Sequence, residues 1–205
     1  MTHYSKKRLP KDPNKVFCNE SVEQCYQTYV KPWTDASVAV LLDDRHFQST
    51  KTHSSLKVWI AQHNLPEYRK MIATKPPNVE TLLHTDYSQL KPPPGSVVVD
   101  NADFCGGWSN ASTILFDRLS QTPSFYASRA IVRITVSARG VTPDNFANQV
   151  VHEYQMAAID TPYCVKPLSI RQWCHDDIQA FDSLDATCFT YSPFMTTFLF
   201  LIVQI

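Results

Sequence analysis

"SVVVDNADFCGGWSN", Ser96 to Asn110, decides the fold. Four residues of β type, Ser96 to Val99, run into an acid, Asp100. Six residues later come Gly106, Gly107, Trp108 and Ser109. The chain has four glycines in 205 residues, and two of them stand side by side here. Where a strand gives way to glycine, backbone can approach a ligand that a Cβ would exclude. Downstream, "NASTILFDRL" (110–119) reads as a helix, and "RAIVRITVSARG" (129–140) is the most strand-like run in the chain. Residues 142–160 read as a helix with Thr142 as N-cap, Pro143 in the first turn and Asp144 near the positive end. From residue 96 the order is therefore strand, helix, strand, helix, then strands. That alternation predicts an α/β fold: a Rossmann-like, mostly parallel sheet with helices on both faces. Ligands of such sheets bind beyond the carboxyl ends of the strands, where Asp100 and the glycines are expected to lie.

Upstream the chain is punctuated by prolines, in "KPPNVE" and "LKPPPG". Residues 19–30 read as an amphipathic helix, 36–44 as a strand, and 54–74 as a helix interrupted near Pro66. A helix or a strand pair is expected over 166–181, and further strands at 185–194 and in the tail. Three regions follow: a flexible basic arm (1–17), a helical N-terminal region (18–94) and an α/β core (95–205).

The composition is that of a globular chain, 43% hydrophobic and 19% charged, so a sizeable core can be buried. Nineteen Lys and Arg balance nineteen Asp and Glu, which gives no global argument for nucleic acid. The arm is the exception, with Lys6, Lys7, Arg8, Lys11 and Lys15 close together; it is read as a solvated arm, with phosphate contact as the second reading. No secretory signal is read at the N-terminus, so a cytoplasmic or nuclear protein is expected. "FMTTFLFLIVQI" (194–205) is too short to span a bilayer and is read as a buried strand, with no membrane partner. Six cysteines, scattered and without CxxC pairs, are read as reduced thiols.

The stretch from Leu90 to Ser109 resembles the S-adenosylmethionine-binding motif of the FtsJ-like RNA 2′-O-methyltransferases. The Leu-Lys-Pro lead-in is present at Leu90, Lys91 and Pro92, the strand and the acid-to-glycine spacing match, and Gly-Gly-Trp-Ser matches outright. The departures are Asn101-Ala102 after the acid, and Cys105 where the family has proline. The resemblance implies S-adenosylmethionine as cofactor, held by Asp100, Cys105, Gly106, Gly107 and Trp108, with Asp176 and Asp177 beside the adenine. It implies RNA as partner, with transfer to ribose 2′-hydroxyls and the mRNA cap as one such substrate.

The family's catalytic Lys-Asp-Lys-Glu set is incomplete. Lys75 is the nearest lysine to the first position, Thr190 falls where the catalytic aspartate belongs, and the last two members have no candidates. A ribose hydroxyl is a poor nucleophile and needs a lysine and carboxylates around it. The rival reading is a non-enzymatic structural or interaction domain, for example of a viral assembly, with a protein partner. Other constellations are weaker. "WTDAS" (33–37) resembles the first acid motif of ribonuclease H-like domains but lacks further acids. Cys164, Cys174, His175 and His152 fit no compact zinc spacing, so no metal site is assigned.

Overall fold

A computed structural model describes residues 13–42, 47–138, 143–173, 185–192 and 195–205. Among these, eight strands form one sheet: β1 (Val38–Leu41), β2 (Lys57–Ala61), β3 (Val79–Leu83), β4 (Val97–Gly107), β5 (Tyr126–Ser137), β6 (Tyr163–Pro167), β7 (Cys188–Ser192) and β8 (Met195–Gln204). Their order is β3-β2-β1-β4-β5-β8-β6, with β7 also pairing β8. Strands β1 to β5 pair in parallel, and β8 runs antiparallel to β5, β6 and β7.

The helices are α1 (Pro13–Tyr29), α2 (Gln48–Thr52), α3 (Leu65–Ala73), α4 (Trp108–Ser120), α5 (Pro143–Met156) and α6 (Ile170–Trp173). Because side chains alternate along a strand, β5 feeds two cores. Val132 and Ile134 meet Leu115 and Leu119 of α4 and Phe146, Val150 and Tyr154 of α5. Ile131 faces the opposite core, with Val22 and Tyr26 of α1, Met71 of α3 and Trp173 of α6. A sheet covered on both faces needs apolar residues at nearly every position, and "AIVRITV" supplies them.

The strand expected at 96–100 is β4, central and parallel, and the helix expected at 110–119 is α4. The tail is β8, buried between β5 and β6. Residues 54–74 differ from expectation: they form β2 and then α3. Val58 and Ile60 are buried while Lys57 is exposed and Trp59 half-buried, a two-residue period inside a run read as helical. Asn64 then starts α3 by accepting the Glu67 N–H at 3.1 Å, with Pro66 in the first turn, where a missing N–H costs nothing. The region 18–94 is thus not only helical. It supplies β1, β2 and β3 to the same sheet as the rest. Thr142, the expected N-cap of α5, lies outside the described residues.

α1 and α2 are tied by His53, whose Nδ1 lies 2.7 Å from Glu23 Oε2. His53 is fully buried and its Nε2 has no partner among the described residues. Burial alone raises the Glu23 pKa, but the bonds to His53 and Gln27 outweigh it and hold the carboxyl below its ordinary 4.5. A lowered folded-state pKa contributes stability that is present above the unfolded value and is lost as pH falls through the folded one. Stability should therefore decline below about pH 4.5. Glu23→Gln should flatten that part of the curve in thermal melts; an unchanged acid limb would show the pair adds nothing.

Candidate functional site

The sheet winds outward in two directions. β1, β2 and β3 run to one side, and β4 and β5 to the other, so the strand order reverses between β1 and β4. In open α/β sheets the crevice at that switch point, beyond the carboxyl ends, is where ligands sit. Here it holds a cavity of about 330 Å³, lined by Leu42, His63, Asp86, Tyr87, Ser88, Asp103, Phe104 and Ile114. Leu42 follows β1, His63 follows β2, and Asp86, Tyr87 and Ser88 come from the turn after β3. Asp103 and Phe104 lie on β4, and Ile114 lies on α4. Four separate carboxyl ends thus converge on one cavity.

Its walls are chemically distinct. Leu42, Phe104 and Ile114 are apolar and half-buried. Phe104 packs edge-on against Tyr87, with ring centroids 5.8 Å apart. The Asp86 side chain is exposed and makes no capping bond to the 3-10 turn it precedes. Asp103 faces the other side. Its Oδ2 lies 3.4 Å from Arg133 Nη2 and 3.8 Å from Lys15 Nζ. Arg133 is buried and donates to Asn19 Oδ1 at 2.6 Å and to Thr135 Oγ1 at 3.1 Å. These bonds lock α1, β4 and β5 together beside the cavity.

Asp100 does not reach the crevice. β4 continues seven residues beyond it, to Gly107, so the acid is in mid-strand rather than at a strand end. It is fully buried. Arg118 Nη1 donates to its two oxygens at 2.7 and 2.6 Å, Tyr126 Oη donates at 2.8 Å, and the Tyr87 hydroxyl donates as well. Burial alone lowers the Arg118 pKa, and the Asp100 carboxylate more than reverses that. Burial, then Asp100, pushes the Tyr87 and Tyr126 hydroxyls well above their ordinary value, so both stay protonated donors. With three donor groups making four contacts to its two oxygens, Asp100 is a core residue that fixes the cavity wall through Tyr87, and its carboxylate is not offered to a cofactor.

Gly106 and Gly107 close β4 and lead into α4, with a register shift against β5 between Asp103 and Gly107. Neither has a positive φ; that conformation belongs to Gly95 in the turn before β4, at φ 64°. Space over the pair is open. A Cβ at Gly107 would meet nothing within 4 Å, and one at Gly106 only Asn110 Nδ2 at 3.9 Å. The pair forms a bare shelf next to Asp103 and Phe104, with the backbone of Cys105 between. Trp108 is buried and its Nε1 donates to Glu153 Oε2 at 2.6 Å, so the indole packs under the shelf rather than over it.

The phrase also sits on the fourth strand. The sequence between β1 and α2, 42–47, contains no glycine. The topology places the glycines on β4, across the switch point from β1.

Other expected residues fall elsewhere. Lys75 is exposed in the loop between α3 and β3, at the amino ends of the strands. The length of β3, roughly 16 Å at 3.3 Å per residue, separates it from the crevice. Thr190 is on β7, bonded to Thr196 on β8 at 3.2 Å. It stands three strand spacings from β4, roughly 14 Å. Asp176, Asp177, Cys174 and His175 lie outside the described residues. His63, Asp86, Asp103, Arg133 and Lys15 were not singled out for the site by the sequence. The signal available for two of them was position, since His63 and Asp86 each follow a strand end.

No protein-family model and no curated protein matches the sequence. The fold does match solved structures. M. jannaschii TYW2 in complex with AdoMet superposes with a TM-score of 0.57 at 10% identity, over 100% of this chain and 85% of that one. The plantazolicin methyltransferase BamL, in complex with a triazolic desmethylPZN analog and SAH, gives 0.58 at 9% identity, over 93% and 86%. The 23S rRNA methyltransferase ErmE gives 0.53 at 11%, over 91% and 68%. The fold is that of the Rossmann-like S-adenosylmethionine-dependent methyltransferases. At such identities the likeness is one of architecture, and the methyltransferase fold carries no particular acceptor with it. Among the described residues no helix is long and apolar enough to cross a membrane.

Proposed function

We propose that the chain is a methyltransferase-type domain that binds S-adenosylmethionine in the crevice between β1 and β4, with RNA as its partner. The observation that carries this is the cavity at the switch point, in a fold shared with proteins crystallised with AdoMet or SAH. The lining suits such a molecule. Leu42, Phe104 and Ile114 offer apolar walls to a flat ring system, with a few polar groups to fix its orientation. The Asp86 carboxylate is placed to accept from an exocyclic amine or a ribose diol. Asp103 offers a carboxylate to a cationic end, and the buried Arg133 holds that carboxylate in place. S-adenosylmethionine, when bound, supplies an activated methyl group on a sulfonium. Asp86 and Asp103 are the carboxylates that line the cavity, and Lys15 lies 3.8 Å from Asp103.

RNA is supported by the Leu90–Ser109 phrase and by the presence of an rRNA methyltransferase among the structural neighbours. Transfer to ribose 2′-hydroxyls, including those of the cap, rests on the phrase alone.

The cofactor reading is tested by calorimetric titration of the parent chain and of Asp86→Ala. Hydrogen bonds to a charged group contribute about 1.5–3 kcal/mol, so the variant should bind S-adenosylmethionine roughly 10- to 100-fold more weakly. Among the described residues Asp86 makes no capping bond through its exposed side chain, so the melting temperature should not move. Equal affinity in the two chains would remove Asp86 from the site.

A further inference from the structure

We infer that the amino-end edge of the sheet carries a self-complementary patch through which two copies of this chain pair about a two-fold axis. The inference does not depend on the reading of the crevice, which lies at the opposite edge. Single exposed apolar side chains are ordinary on a protein surface, but three large ones gather here. Trp33 is 61% exposed, in the 3-10 turn between α1 and β1. Met156, at the end of α5, is 51% exposed, and Ile159, in the turn before β6, is 64% exposed. Strand register joins them. Arg129 on β5 stacks its guanidinium over the Trp33 ring at 4.0 Å. It pairs with the half-buried Val203 on β8, which pairs in turn with Cys164 near the start of β6. Two strand spacings, roughly 10 Å, therefore separate Arg129 from the strand that Ile159 leads into.

The anchor is preorganised. Pro32 stiffens the turn that carries Trp33, and Arg129 Nη1 also donates to the Tyr29 carbonyl at 3.5 Å. Little freedom remains for these side chains to lose on association. Trp and Arg are also the residue types that dominate binding energy at protein interfaces. The charges say which partner fits. The Trp33 end carries Lys31 and Arg129 against Asp35, and the Ile159 end carries Asp160. One end of the patch is thus positive and the other negative. A two-fold axis through its middle lays each end on the opposite end of the second copy, as an isologous contact requires. A partner of uniform sign would meet a like charge at one end. The chain as a whole is neutral, so no net repulsion opposes self-association. β5, twelve residues long, runs from this patch toward the crevice edge, so pairing leaves both crevices open.

The test is sedimentation velocity of the full chain from about 1 to about 200 µM, the range in which a small interface with good anchors should pair. The parent should run as a monomer at the low end and as a dimer at the high end. Trp33→Ala and Ile159→Ser should each weaken pairing at least about tenfold. Lys31→Glu makes both ends of the patch negative, and Asp160→Arg makes both positive, so each should weaken pairing as well. The double variant Lys31→Glu, Asp160→Arg inverts the two ends together and should recover most of the loss, because each inverted end meets an inverted end of its copy. All four positions are exposed, and melting temperatures recorded beside the sedimentation runs should stay near the parent's. A monomer at every concentration would overturn the inference and leave the patch to a different protein or to a lipid surface. Single variants that pair as tightly as the parent, a double variant with no recovery, or growth beyond a dimer would overturn it equally.

Discussion

Arg118→Met should destabilise the fold by about 3–5 kcal/mol, the usual cost of removing one partner from a buried ion pair. Arg118 and Asp100 are both buried, and the pair is closed by two contacts of 2.7 and 2.6 Å. The guanidinium also donates to the Tyr87 carbonyl at 3.0 Å and stacks between the rings of Tyr87 and Phe125. Methionine fills much of that volume but leaves the Asp100 carboxylate with only the Tyr87 and Tyr126 hydroxyls. For a chain of this length the melting temperature should fall by roughly 6–20 °C. Asp100→Asn should cost a similar amount, and the double variant less than the sum, because the stranded charge is the same loss counted twice. A fall under about 2 °C for Arg118→Met would mean that water reaches the pair and that it does not organise the cavity wall.

Ile114→Trp should weaken S-adenosylmethionine binding at least about a hundredfold, equivalent to about 2.7 kcal/mol, and leave the chain folded. Ile114 lies on α4 and faces the cavity, half-buried. The cavity, about 330 Å³, is at the small end of the range for ligand sites, so an indole leaves no room for a nucleoside. Overpacking a closed core costs about 1–3 kcal/mol, and less here because one side of the residue is open to solvent. Unchanged affinity would place the ligand elsewhere on the carboxyl edge.

The parts of this molecule that could be read from its sequence are those set by local pattern. β4, α4, β5 and α5 each carry a period or a cap within their own residues, and β8 a continuous apolar run. β2 is five residues long and is joined by three residues to a capped helix, so its two-residue period is swamped by the helical pattern around it. Asp100 was misplaced for a related reason. An acid after a run of valines looks like the end of a strand, but β4 runs on to Gly107, and the acid's partners are Tyr87, Arg118 and Tyr126, brought in by three other elements. The glycine phrase is legible in the sequence, but its position in the sheet is not. Which strand is fourth depends on how β1, β2 and β3 wind away from it, a property of topology that no stretch of twenty residues contains. Lys15 reaches Asp103 only because α1 packs across β4 and β5.

The central claim is that the crevice between β1 and β4 is a cofactor site. Calorimetric titration of the full chain with S-adenosylmethionine and with S-adenosylhomocysteine, run beside Ile114→Trp, tests it most directly. The account predicts saturable binding at one site per chain for the parent and none measurable for the variant at the same concentrations. No heat from either ligand with the parent, or identical isotherms for parent and variant, would contradict it.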